Sequence, residues 1–83
     1  MDTKYNGWKN RQTWNVSLWI ANDEPLYRAA VDYMTRVNKS RAAYKSFVRW
    51  AGLDGSRTPD NIAWISTRLD YRALNAMMRD LVN

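Results

Sequence analysis

Tyr5-Asn6-Gly7-Trp8-Lys9-Asn10-Arg11-Gln12-Thr13-Trp14-Asn15-Val16-Ser17-Leu18-Trp19-Ile20-Ala21-Asn22-Asp23 holds three of the five tryptophans of the chain and four asparagines. Tryptophan carries the largest apolar surface of any side chain, so three close together mark where a small core must form. Asparagine is only a fair helix former, and its amide needs partners when buried. Asn6-Gly7 reads as a turn, because this pair readily takes positive φ, with Trp8 folding back as an anchor. Asn10 then reads as the N-cap of a first helix running to about Asn22. At about 100° per residue, Trp14, Leu18 and Ala21 share one face, and Val16 and Ile20 lie nearly opposite with Thr13 beside Ile20. A helix apolar on two sides is expected to be central. Gln12, Asn15, Trp19 and Asn22 form a third sector, in which amides flank a tryptophan. Its structural reading is bracing of loops or other helices over Trp19, and its functional reading is a recognition surface. The structural reading is preferred, since small folds often hold their loops through such side chains.

Outward from this stretch, Asn22-Asp23-Glu24-Pro25 is a boundary. Asp23 is an N-cap, and Glu24 and Pro25 suit a first helical turn. The second helix is expected from Glu24 to about Asn38. Its buried stripe is Leu26, Ala30, Tyr33 and Val37, with Ala29 and Met34 beside it, while Arg28 and Asp32 are placed to pair on the exposed side. Ser40 is read as the N-cap of a third helix, Arg41 to Ala51, stopped by Gly52. Ala43, Phe47 and Trp50 are its core face, and Arg41, Lys45 and Arg49 are a stripe on the other side. Asp54-Gly55 marks a turn, and Thr58-Pro59-Asp60 reads as the start of a short helix carrying Ile62, Ile65 and Trp64. Asp70 caps a last helix, about Tyr71 to Leu81, with Leu69 as a staple and with Leu74, Met77 or Met78, and Leu81 inward. No strand alternation longer than four residues is apparent in this chain, nor any hairpin signal. The expected fold is all-α, a single domain over 1–83 with four to five short helices and a polar tail at Met1–Lys4.

Composition narrows the chemistry. At 83 residues the chain makes one domain, and a domain of this size is only marginally stable unless aromatic packing or oligomerisation helps. There are no cysteines and no histidines, which excludes disulfides and the usual zinc sites. The same absences remove the commonest general base and the strongest nucleophile. The eight carboxylates are scattered, Asp23, Asp60 and Asp70 read as helix caps, and the three glycines show no phosphate-loop spacing. Catalysis is therefore not expected, nor are a cofactor or a bound metal. No run approaches the ~20 apolar residues of a membrane span, and no signal-peptide segment opens the chain, so a cytoplasmic protein is expected.

The net charge of +5 favours an anionic partner: nucleic acid, a nucleotide or an acidic protein surface. Arg36, Lys39, Arg41, Lys45 and Arg49 fall within 14 residues, and no acidic residue stands between Asp32 and Asp54. Charge this one-sided forms a patch of the kind that releases counterions from a phosphate backbone. Tyr44 beside it, and Trp19 in the amide sector, are candidate stacking anchors. The plain alternative is a solvated helix face. The patch has the signature of no named DNA- or RNA-binding module, which disfavours sequence-specific DNA reading. The ten tryptophans and tyrosines, with nine arginines, also suit a protein interface or a homo-oligomer contact.

The opening stretch resembles a family of small bacteriophage and cyanobacterial proteins to which no activity is attached. They begin with Tyr-Asn-Gly-Trp, followed by Asn, Thr-Trp-Asn, a Leu-Trp pair and Asn-Asp or Asn-Glu. The matching residues here are Tyr5, Asn6, Gly7, Trp8, Asn10, Thr13, Trp14, Asn15, Leu18, Trp19, Asn22 and Asp23. The segment from Leu69-Asp70-Tyr71 to Leu74 is similar more weakly, and Arg11 stands where an aromatic is common. The resemblance implies a phage-type accessory protein that binds and redirects a host component, such as a defence complex, a polymerase or a signalling nucleotide. Mimicry of DNA is disfavoured, since such mimics are acidic and this chain is basic.

The function expected on these grounds is non-enzymatic inhibition or redirection of a host macromolecule through a basic, aromatic surface of Arg36, Lys39, Arg41, Tyr44, Lys45, Arg49 and Trp19. The first alternative is direct binding of nucleic acid, or sequestration of a nucleotide messenger by an oligomer. The second is a structural or assembly role.

Overall fold

The computed structural model describes residues 7–82. The tail expected over Met1–Lys4 and the Tyr5-Asn6 part of the first turn lie outside them. Among the described residues there are four helices: α1 (Arg11–Asn22), α2 (Glu24–Arg36), α3 (Ala43–Trp50) and α4 (Tyr71–Asp80). The protein is all-α, and none of these helices is long and apolar enough to cross a membrane. α1 packs chiefly on α2, and α3 packs chiefly on α4.

Three helices start where a side-chain oxygen takes up an otherwise unpaired N–H. Asn10 accepts from the Thr13 N–H at 2.9 Å, Asp23 from Leu26 at 3.1 Å and Asp70 from Ala73 at 3.2 Å. Asp23 also closes α1, its own N–H reaching the Trp19 carbonyl at 3.0 Å, so one residue ends one helix and begins the next. α3 differs. Ser40 does not cap it, because the Ser40 Oγ is taken by the Ala42 N–H in a turn of its own. The helix begins at Ala43, and its N-terminus is satisfied from across the fold, where the Asn75 side chain of α4 accepts from the Tyr44 N–H at 2.9 Å. Arg41 is therefore in the connecting loop and not on the helix. At the other end, Gly52 at φ +74° permits a paired closure, Gly52 N–H to Arg49 O and Leu53 N–H to Val48 O.

The core is Val16 and Ile20 of α1, Ala30 and Tyr33 of α2, Ala43, Tyr44, Phe47 and Val48 of α3, Leu74 and Met78 of α4, and Trp64 and Leu69 from the segment between α3 and α4. α1 presents Thr13, Val16, Ser17 and Ile20 inward, whereas Trp14 and Leu18 are half-buried and Ala21 is exposed. Of the large residues expected in the core, Leu26 and Leu81 are half-buried against it and two are exposed. Val37, at the end of α2, is 40% exposed, and Trp50, the last residue of α3, is 47% exposed. Both stand at helix termini, where the packed face runs out. On the outer side of α2, Arg28 pairs with Glu24 and Arg36 with Asp32, both i,i+4 with the acid N-terminal. That is the favoured order, worth a few tenths of a kcal/mol for each exposed pair, and it replaces the expected Arg28–Asp32 pair.

The short helix expected after Thr58-Pro59-Asp60 does not form. Residues 51–70 are irregular, with a single bridge between Arg57 and Ala63. The reason is competition from α1. The Thr58 Oγ1 accepts from the Ile62 N–H at 3.2 Å, but its hydroxyl is tied to α1, donating to the Asn15 Oδ1 at 2.7 Å, and no helix follows. The Asp60 carboxylate accepts from Asn15 Nδ2 at 2.8 Å and Trp19 Nε1 at 2.9 Å. Asn61 then turns to φ +67°, which no helix tolerates. Two more bonds tie the start of α1 to the start of α4: Asn10 Nδ2 to the Arg68 carbonyl, and the Asp70 N–H to Thr13 Oγ1. Asn15 is 2% exposed and serves two partners at once. Replacing it by alanine strands the buried Thr58 hydroxyl and should lower unfolding stability by about 1–3 kcal/mol in a denaturant titration.

Candidate binding site at the ends of α2 and α3

Trp50 leads into the site. Its ring lies 5.2 Å from that of Tyr33 and 6.3 Å from that of Phe47, and Tyr33 and Phe47 are 5.7 Å apart, all three tilted. Such contacts add about 0.5–1.5 kcal/mol per pair beyond burial. Phe47 and Tyr33 are core residues, so Trp50 is the outward end of a continuous aromatic stack. The stack brings the C-terminal ends of α2 and α3 together, since Tyr33 stands one turn before Arg36 and Val37.

Four of the seven residues singled out in the sequence, Arg36, Lys39, Arg41 and Arg49, belong to this corner or to the loop between the two helices. Arg36 and Arg49 stand in the last turns of α2 and α3, where a cation meets the negative end of the helix dipole. Arg36 is exposed and paired with Asp32 at 2.9 Å. Lys39, Arg41 and Arg49 are exposed and form no ion pair among the described residues. Lys45 is half-buried, its Nζ over the Tyr71 ring at 4.5 Å, a cation–π contact that engages the charge inside the fold.

Tyr44 is not a surface anchor. It is fully buried, and its hydroxyl donates to the Trp64 carbonyl at 2.6 Å. Burial, with a smaller contribution from neighbouring Tyr71, pushes its phenol well above the ordinary range, so it stays a donor. The position beside the basic residues is a core position because α3 turns Ala43, Tyr44, Phe47 and Val48 inward together. Trp19 is half-buried and donates to Asp60, so the amide sector of α1 braces a loop, as preferred on sequence grounds. The surface residue missed in the sequence is Trp50. Its signal was its place as the last residue before the Ala51-Gly52 stop, where a core assignment is least secure.

Among the described residues no three of Asp, Glu, His or Cys come together in a way that would hold a metal ion. What the corner offers is an exposed aromatic face with the unpaired Arg49 next to it in the chain, and with the unpaired Lys39 and Arg41 in the loop that joins α2 to α3, which suits contact with an anionic surface. The model of a family of unknown function matches residues 1–83. The chain belongs to that family, DUF7249. Membership in DUF7249 covers all four helices and attaches no activity to them. Neither a curated protein nor a solved structure matches the chain.

Two outcomes test this account of the buried partners. Tyr44→Phe leaves the Trp64 carbonyl without its donor and should cost about 1–3 kcal/mol in stability by chemical denaturation. Asp60 carries a lowered pKa, caused first by the hydrogen bond from Asn15, then by that from Trp19 and by the nearby Arg11 charge. The fold thus favours the carboxylate, and the stabilisation is present above the unfolded-state value and lost as the pH falls through the native one. The stability gap between the wild type and Asp60→Ala should therefore be widest near neutrality and should narrow below about pH 4 in parallel melts.

Proposed function

We propose that this protein is a non-enzymatic binding protein that occupies an acidic or phosphate-bearing surface of a host macromolecule through the corner where α2 and α3 end. The observation that carries the reading is the half-exposed Trp50, held on Tyr33 and adjacent in the chain to the unpaired Arg49. Tryptophan and arginine are the residues that most often dominate binding energy. A ring already fixed by core contacts loses little freedom on binding. Lys39 and Arg41 extend the same positive field along the loop that joins the two helices, and such a field speeds encounter with an anionic partner.

The similarity of residues 5–23 to small phage proteins supports a host component as the target, one that belongs to a defence or nucleic-acid-processing complex. In this reading the protein acts by covering a surface, in the cytoplasm of the infected cell. The basic contact set is Lys39, Arg41, Arg49 and Trp50, with Arg36 shared with Asp32 and Lys45 left to its structural role on Tyr71.

Capture from host lysate with the tagged full chain, with and without nuclease, tests the proposal. A dominant protein partner that survives nuclease is expected. Its capture should fall by at least ~10-fold for Trp50→Ala or for the Arg41→Glu/Arg49→Glu pair, with melting temperatures near the wild type. Undiminished capture by both variants would remove this corner from the site. Recovery of nucleic acid alone, with a steep dependence on salt, would replace the protein partner by a phosphate backbone.

A further inference from the structure

A second surface, which shares no residue with the corner, lies at the first turn of α1. A cleft of about 340 Å³ opens between the first turn of α1, the loop 57–63 and the turn before α4, with Gln12, Arg57, Asn61, Ser66 and Arg68 as its polar lining. Ile62 and Ala63 supply an apolar wall. The volume falls at the small end of the range for small-molecule sites, about 300–1,000 Å³.

The walls are fixed. Within the loop, Thr58 N–H donates to the Ile62 carbonyl at 2.8 Å, Ile62 N–H to Thr58 Oγ1 at 3.2 Å and Asn61 N–H to the Thr58 carbonyl at 2.8 Å. Thr58 and Asp60 are anchored to α1 through Asn15. Ser66 is clamped by Tyr71, whose hydroxyl accepts from the Ser66 N–H and donates to the Ser66 carbonyl. The Arg68 carbonyl is held by Asn10.

The polar lining side chains, by contrast, are largely unengaged among the described residues. The Gln12 and Asn61 amides and the Arg68 guanidinium make no side-chain hydrogen bond to any described residue. Ser66 Oγ accepts from the Arg68 N–H at 3.1 Å and keeps its own proton to donate. Arg57 is oriented by one bond, Nη1–H to the Asn61 carbonyl at 3.1 Å, and the rest of its fork is unused. Neither arginine forms an ion pair among the described residues. No acidic side chain lines the cleft. Asp60, the acid of the same loop, is turned onto Asn15 and Trp19, and Asp70 is engaged at the start of α4. Asn61 holds its place in the wall at φ +67°, a turn conformation that asparagine tolerates better than most side chains.

We propose that this cleft binds a nucleoside monophosphate group. Two guanidiniums in the lining match the oxygens of a phosphate, which a fork of N–H donors takes in pairs. Ser66 adds a hydroxyl donor. The two amides each present a donor and an acceptor side by side, as the edge of a nucleobase does. The Ile62–Ala63 wall suits the face of the ring. The group has two sources, a free mononucleotide or the 5′-terminal nucleotide of a single strand, and the chemistry is shared between them.

Titration of the ¹⁵N-labelled full chain decides the matter, read at the side-chain amide resonances of Gln12 and Asn61. The probes are the four ribonucleoside 5′-monophosphates, inorganic phosphate alone, and a 5′-phosphorylated single-stranded oligonucleotide beside its unphosphorylated twin. At least one mononucleotide should shift both amides saturably, at least ~10-fold more tightly than inorganic phosphate. Arg68→Gln, which removes no bond of the fold, should weaken that binding by roughly 10-fold or more with the melting temperature kept, and Arg57→Gln should do the same if it folds. Equal or tighter binding of the phosphorylated oligonucleotide than of the mononucleotide assigns the strand terminus as the source, and weaker binding assigns the free nucleotide. The proposal is overturned by the absence of a saturable shift with every mononucleotide, by inorganic phosphate binding as tightly, or by unchanged affinity in Arg68→Gln. The cleft and the α2–α3 corner share no residue, so this titration and capture of a host partner succeed or fail independently.

Discussion

The buried amide of Asn15 is the constraint on which the arrangement of this protein depends. It stands on the inward side of α1, accepts from Thr58 and donates to Asp60, and so fastens a loop that has no helix or sheet of its own to the most strongly specified helix of the chain. A buried amide is costly unless its hydrogen-bonding groups are engaged, which makes the interaction selective as well as stabilising. The loop satisfies both ends of Asn15 by bringing a donor hydroxyl and an acceptor carboxylate together two positions apart. Thr58-Pro59-Asp60 does so because proline fixes the backbone between them. With the loop fastened there, Trp64 is carried into the core, and its carbonyl becomes the acceptor for Tyr44 of α3. The polar face of α1 and the apolar core are thus joined through one segment.

α3 shows the same dependence from the other end. At eight residues it is too short to be stable alone, and it has no side-chain cap of its own. α4 supplies the cap through Asn75, the Trp64 carbonyl takes the Tyr44 hydroxyl, and Tyr33 supports its last residue. The exposed Trp50 is a consequence. The helix stops as soon as Gly52 closes it, and the ring at that last position has a core on one side only. A surface made in this way is rigid without being buried, a property that a contact surface requires and that a tryptophan on a mobile loop would lack.

Local chemistry accounts for what could be read from the chain. Asn10, Asp23 and Asp70 cap helices because each is followed by residues that leave it no better partner, so α1, the start of α2 and the start of α4 were legible to the residue. Gly52 marked the end of α3 for the same reason. Thr58 and Asp60 carry an equally good cap pattern, and there it misled, since both side chains are claimed by residues more than 40 positions away. Ser40 misled in a smaller way, by closing a turn just short of the helix. The basic residues of the corner could be read from their spacing, but the aromatic among them could not. The choice between Tyr44 and Trp50 depends on where α4 and Tyr33 meet α3, and no periodicity within eight residues determines that.

The partners that misled the local reading are also the ones that shape the cleft. Had Thr58 and Asp60 capped a helix, residues 60–65 would have been wound into it and their backbone groups consumed there. Because α1 claims those side chains, the chain turns at Asn61, whose carbonyl anchors Arg57, and the Asn61 amide is left free on the wall. The acid of the loop is engaged by Asn15 and Trp19, while Arg57 and Arg68 line the cleft with Gln12. This separation follows from a single choice of partners by Asn15, and it leaves the only carboxylate of the loop unable to neutralise the guanidiniums beside it. The physical ground for treating the cleft as a site is that its guanidiniums are left without an acid while the carboxylate of the same loop is taken up by Asn15 and Trp19.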